Sequence, residues 1–122
     1  KRKQFMKGIT QIAQEGAIQI FQEYNTGMEE IIVGVVGVLQ FDVLKYRLNN
    51  EYNVEIGLEN LPYEHIRWIE GDYDINKISG TSDMKKIKDL KDRPLLLFVN
   101  SWSVGMVQDR NEGLVLAEFG RD

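Results

Sequence analysis

An α+β fold, with one layer of helices against a mixed sheet, follows from four features of the sequence. The run Ile31-Ile32-Val33-Gly34-Val35-Val36 is uncharged and rich in β-branched residues, as a buried strand should be. From Leu39 the spacing becomes helical: Leu39 and Val43 share one side, and Phe41, Leu44, Leu48 and Tyr52 fall together on another. Gly37 stands between the two patterns and permits a tight turn. Finally, helical and strand patterns alternate along the whole chain in the order α-β-β-α-β-β-α-β-α-β, without an internal repeat.

Each element has its own local signal. Residues 2 to 15 place Phe5, Ile9, Ile12 and Ala13 on one helical face, and Gly8 within that face allows close packing. Gly16 suits the helix stop. Residues 17 to 24 alternate as a strand, Asn25-Thr26-Gly27 is turn chemistry, and residues 30 to 36 complete a predicted hairpin. A helix over 38 to 51 leads to a third strand over 52 to 58, and beyond Pro62 a fourth over 65 to 70. Residues 71 to 81 read as a polar loop. Ser82 as N-cap, with Asp83 in the first turn, predicts a short helix to Leu90. Leu95 to Val99 is an apolar strand. Asn100 or Ser101 caps another short helix to Arg110, and residues 113 to 119 form a last strand.

At 122 residues the chain is one domain by length, able to bury roughly two-thirds of the surface its unfolded form exposes. A net charge of −4 argues against a freestanding nucleic-acid binder. With no cysteine there is no disulfide, no thiolate chemistry and no cysteine-ligated zinc, which fits a reducing cytoplasm. The longest apolar run is far too short for a bilayer span, and no secretory signal is visible. The start at Lys1-Arg2-Lys3, straight into helical pattern, reads as a piece of a longer protein or a processed one, and a parent's main activity could then lie outside it.

Few residues suggest chemistry. Gly34-Val35-Val36-Gly37 is a G-x-x-G at a strand-to-helix junction, where a phosphate or a nucleic-acid backbone is sometimes held. Two valines and no adjacent cation favour a structural turn at Gly34 and Gly37. His65 is the only histidine and reads as a strand residue rather than a metal ligand. Asp74-Ile75-Asn76-Lys77 lacks the aspartate that a guanine-reading loop needs, and no G-x-x-x-x-G-K-[ST] phosphate loop is present. The sequence therefore supplies no catalytic, cofactor-binding or metal residue. The mixed run from Asp83 to Arg93 reads by default as a solvated helix face. Within it Lys85, Lys86, Lys88, Lys91 and Arg93 are candidates for an RNA or ribosome contact, as are Lys1, Arg2, Lys3 and Lys7. Trp68 fits a core alternation; Trp102, beside a cap, joins the candidate contacts.

Two longer stretches carry a resemblance. Lys7-Gly8-Ile9-Thr10-Gln11-Ile12-Ala13-Gln14-Glu15-Gly16-Ala17-Ile18-Gln19-Ile20-Phe21 resembles the entry to the third, C-terminal domain of bacterial peptide chain release factor 3. Val33-Gly34-Val35-Val36-Gly37-Val38-Leu39-Gln40-Phe41-Asp42-Val43, with Arg47 to Glu55, resembles that domain's central strand-helix-strand, and Arg67-Trp68 has a counterpart there. Elongation factor G carries a different Gly-x-Gly-Glu-Leu-His-Leu run at the related place. The resemblance spans residues 1 to about 70 and weakens beyond.

It implies a ferredoxin-like two-layer sandwich related to the third domain of elongation factor G, with a mixed or antiparallel sheet, helices on one face and a C-terminal α/β extension. Residues 1–122 would be one domain of a cytoplasmic translational GTPase, a class II release factor that recycles class I release factors from the ribosome. GTP, with magnesium, would bind in an N-terminal domain followed by a β-barrel, both outside this chain. The third domain would face the small ribosomal subunit and help position the GTPase domain. No partner in a membrane is implied. A complete ferredoxin-like module begins with a strand. The expectation is that this strand lies upstream, leaving a sheet edge through which the excised domain self-associates. Two other functions compete: a regulatory domain binding a small molecule in a pocket lined by the glycine turn, and an independent enzyme, which lacks any acid, base and nucleophile set.

Overall fold

A computed structural model describes residues 2–24 and 31–119. Among them are three α-helices and six strands: α1 (Arg2–Gln14), β1 (Gln19–Glu23), β2 (Ile31–Gly34), α2 (Leu39–Tyr52), β3 (His65–Ile69), β4 (Met84–Asp89), β5 (Pro94–Phe98), α3 (Ser101–Arg110) and β6 (Leu116–Ala117). The expected α+β class holds. The described residues form two compact units. The first draws on Lys1–Phe21 and Ile31–Asn60, the second on Gln22–Glu30 and Leu61–Asp122.

In the first unit, α1 turns Ile9 and Ile12 inward, where they meet Ile18, Ile20, Leu44, Leu48 and Val54. Gly8 is what lets the helices approach. A Cβ there would stand 2.8 Å from both the Leu48 side chain and the Tyr52 ring. Gly16, at φ +84°, ends α1 in the conformation glycine tolerates best. β1 lies beside β2, and β2 is half-buried along its length rather than fully buried. The turn expected at residues 25 to 27 lies outside the described residues.

The third strand expected over 52 to 58 does not form. Asn53 ends α2 in the left-handed region, at φ 56°, and the Val54 N–H donates to the Leu48 carbonyl at 2.9 Å. This six-residue closure is a Schellman cap, which satisfies a helix-end carbonyl and redirects the chain. Val54 is then buried as a core plug, and residues 53 to 58 belong to no described strand. The alternation of Val54, Ile56 and Leu58 was real, but a strand also needs a ladder partner.

In the second unit the strand order is β1-β4-β5-β3-β6, with β1 contributing its last two residues. The β4–β5, β5–β3 and β3–β6 pairs are antiparallel; Leu96 faces Lys86 on one side and Arg67 on the other. As a central strand β5 is buried on both faces, which explains its unbroken Leu95-Leu96-Leu97-Phe98 run. Leu96 and Phe98 pack with Ile75, Ile78, Val104, Val107 and Leu114. The Asn100 side chain caps α3 by accepting from the Ser103 N–H at 2.9 Å. Residues 71 to 81 are more than a polar loop: a short 3₁₀ turn, Ile75–Lys77, sends Ile75 and Ile78 into the core.

The helix expected over 82 to 90 is also overturned, because Met84–Asp89 form β4. The local signals were those of a capped helix. Pairing with β5 outweighs them: Met84 opposes Phe98, Lys86 opposes Leu96 and Ile87 opposes Leu95. The last strand is shorter than expected, at two residues.

Candidate contact surface

The β4–β5 hairpin carries the five basic residues singled out between Asp83 and Arg93, and the fold gives most of them an internal task. Asp89, 8% exposed, organises the turn. Its Oδ1 accepts from the Lys91 and Arg93 backbone N–H groups, both at 2.9 Å, and its Oδ2 accepts from Arg93 Nε at 2.7 Å. The Arg93 guanidinium also lies 4.7 Å above the Trp68 ring, a cation–π contact that ties the arginine to β3. Trp68 is thus half-buried beneath a cation rather than enclosed in the core. Lys85 pairs with Glu23, and Lys86 Nζ donates to the Ile78 carbonyl at 2.9 Å, tying β4 to the 3₁₀ turn. Lys88 lies 3.4 Å from Asp92, a solvent-facing pair that holds it weakly. Lys91 is exposed at the turn. The hairpin is therefore a braced structure, not a row of uncommitted cations.

Trp102 differs from these. It occupies the second position of α3 and is 66% exposed, a large apolar side chain presented to solvent. Asn111 fixes the opposite end of the same helix. Its amide donates to the Val107 and Ser79 carbonyls, at 2.7 and 2.9 Å, while its oxygen accepts from the Ser79 N–H at 2.8 Å. Trp102 consequently stands on a helix pinned at both ends.

Of the N-terminal cations, Arg2, Lys3 and Lys7 lie exposed on α1, and Lys1 lies outside the described residues. The other sequence candidates are structural. Gly34 is the last residue of β2, where a Cβ would meet the Phe21 ring at 3.3 Å. The chain bends at Gly37, whose carbonyl accepts from the Gln40 N–H at 2.9 Å, yet neither glycine has positive φ. His65 is half-buried in β3 opposite Phe98. Asp74 caps the 3₁₀ turn by accepting from the Asn76 N–H at 2.9 Å, which gives Asp74-Ile75-Asn76-Lys77 a local structural role. Arg67 donates to the Ile66 carbonyl at 2.8 Å and stands 3.7 Å from Glu118. Among the described residues no group of three or more His, Cys, Asp or Glu is placed to hold a metal ion. A depression of about 280 Å³, lined by Lys45, Tyr46, Asn49, Glu55 and Ile56, is open and of mixed polarity; Gly34 and Gly37 do not line it.

Two features escaped sequence reasoning. Arg47 clamps the first unit, with its guanidinium bridging Glu15 at 2.9 and 3.0 Å and Glu51 at 2.8 and 3.0 Å. Only the Glu51 arm had a signal, its four-residue spacing along α2. The second is an apolar surface at the start of α2: Val36, Val38 and Leu39 are 103%, 78% and 74% exposed.

Residues 1–108 match the family model described as Class II release factor RF3, C-terminal domain. The chain belongs to that family. The match carries the relationship well past residue 70, where the sequence resemblance weakened. A peptide chain release factor 3 from Symbiobacterium thermophilum is 42% identical over 116 residues, covering 94% of this chain and 22% of the relative. One from Limosilactobacillus reuteri is 44% identical over 103 residues, covering 84% and 19%, and one from Listeria welshimeri is 40% identical over 119 residues, covering 98% and 22%. This release factor domain thus spans about a fifth of the length of the curated relatives it matches. Its helices and antiparallel strands agree with the ferredoxin-like class expected of the family. No helix among its described residues is long and apolar enough to cross a membrane.

Proposed function

We propose that these residues act as the C-terminal domain of a cytoplasmic class II release factor, serving ribosome contact and the positioning of a GTPase domain elsewhere in the polypeptide. The parent recycles class I release factors from the ribosome, with GTP and its magnesium held outside residues 1–122. The observation that carries this reading is the family match over residues 1–108. The chemistry on the page is in keeping with it. The chain has no phosphate loop, and its ordered charged groups brace the fold rather than converge on a reactive centre. A contact domain needs rigidity and a surface, because it transmits force only if its contacts differ between two states of the partner. Trp102 and Lys91 are the residues through which the small-subunit side would be met.

The test is ribosome pelleting by the full polypeptide with a non-hydrolysable GTP analogue, against a version lacking residues 1–122. Loss of pelleting with normal nucleotide binding is the expected result. Pelleting and release-factor recycling that both survive the deletion would overturn the reading and favour a regulatory domain binding a small ligand.

A further inference from the structure

The positive charge of the chain is unevenly placed. Residues 1–14 hold four of its 15 lysines and arginines and none of its 19 acidic residues, so the excess of negative charge belongs entirely to the sequence beyond α1. Ile9 and Ile12 take the inner side of α1 into the core of the first unit. Lys3, Lys7, Gln11 and Gln14 follow at spacings of four, four and three, which stacks them on one outer stripe, with Arg2 and Gln4 beside Lys3. All six of these residues are exposed. Ion pairs among the described residues draw their cations from Arg47, Arg67, Lys85, Lys88 and Arg93, and none from α1. The hairpin cations brace the fold, whereas those of α1 brace nothing in it.

We propose that the outer face of α1 binds the phosphate backbone of RNA, as a ribosome contact separate from Trp102 and Lys91. The inference rests on the reading of the chain as a ribosome-contacting domain. One carboxylate satisfies one cation, but three cations within Arg2–Lys7 ask for a polyanion, and Lys3 and Lys7 stand about 6 Å apart along the helix axis. The glutamines interleaved with them donate to phosphate oxygens and accept from 2′-hydroxyls. No acidic side chain of α1 opposes an approaching anion. A lipid surface would need the apolar side of the helix, and the core already occupies it. The net charge of −4 opposes capture of free RNA, which suits a contact made inside a larger assembly.

The test follows ribosome pelleting by the full polypeptide, with a non-hydrolysable GTP analogue, across a range of salt concentrations. Arg2→Gln, Lys3→Gln and Lys7→Gln are combined in one variant; the positions are exposed and glutamine keeps the helix propensity, so the fold is retained. Each phosphate contact adds about 0.7–0.9 to the slope of log affinity against log salt, and the triple variant should lose about 2 from that slope. Lys3→Arg with Lys7→Arg should keep it. In a parallel experiment, photoreactive benzoylphenylalanine in place of Gln11 should cross-link to ribosomal RNA, read by primer extension. Normal pelleting with an unchanged slope in the triple variant, or cross-links confined to protein, would overturn the inference and leave the ribosome-contact reading standing. An unaltered polypeptide that never pellets would overturn both.

Discussion

Gly8 and Gly37 are both glycines beside apolar residues, yet the structure asks different things of them. A Cβ at Gly8 would overlap Leu48 and Tyr52, while one at Gly37 meets nothing within 4 Å. Gly8→Ala gains about 1 kcal/mol of helix propensity but incurs about 1–3 kcal/mol of overpacking in a site that cannot relax. The expected outcome is a lower melting temperature for Gly8→Ala and an unchanged one for Gly37→Ala, checked by thermal denaturation. Arg47 gives a pH-dependent prediction. Its hydrogen bonds hold the Glu15 and Glu51 carboxyls below their ordinary value of 4.5. The unfolded chain therefore takes up protons first as the pH falls. The clamp's stabilisation is complete above pH 4.5 and is lost as the pH drops through the lowered values. Arg47→Met should lower the urea midpoint at neutral pH, and the gap from the unaltered protein should close in acid. Because the groups face solvent, the gap is small even where it is complete.

At the scale of the element, the β4–β5 hairpin depends on Asp89. One nearly buried carboxylate satisfies two backbone N–H groups and the arginine that covers Trp68. Asp89→Ala removes three charge-assisted hydrogen bonds at once, and the expected loss is about 2–3 kcal/mol by chemical denaturation. Asp89→Asn keeps an acceptor for the backbone and should lose about half of that. Both should release Arg93 from Trp68 and change the near-ultraviolet circular dichroism. The sequence disguised this hairpin. Ser82-Asp83 is good helix-start chemistry, and the lysines between Met84 and Asp89 have no aversion to helix. What made the segment a strand was the neighbouring run Pro94–Phe98, which needs a partner on each side. Local propensity cannot register a requirement that lies ten residues away.

For the whole molecule, the consequence is that the braced basic residues of the hairpin are poor probes of binding. Reversing the charge at Lys85, Lys86 or Arg93 would disturb a brace and a surface together. Trp102 separates the two. Its substitution by alanine should leave stability within about 0.5 kcal/mol, as exposed positions usually do. In the full polypeptide the same change should weaken ribosome pelleting several-fold. Intact stability with intact pelleting would remove Trp102 from the contact surface. The family relationship was legible in the stretches at residues 7 to 21 and 33 to 55. The roles of the candidate residues were not, because charge on a sequence does not reveal which carboxylate or carbonyl already holds it.

The sequence by itself determined the three helices, the strands at Gln19–Glu23, Ile31–Gly34, His65–Ile69 and Pro94–Phe98, the α+β class and the family. These rest on periodicity, capping residues and characteristic runs, all of which are local. The tertiary structure alone decided that Met84–Asp89 is a strand, that residues 53 to 58 are not, that Arg47 joins two glutamates, and that one apolar face of α2 stays open. Each depends on a partner distant in the chain, present or absent, and it is the partner that fixes whether a pattern becomes a strand, a brace or an exposed face.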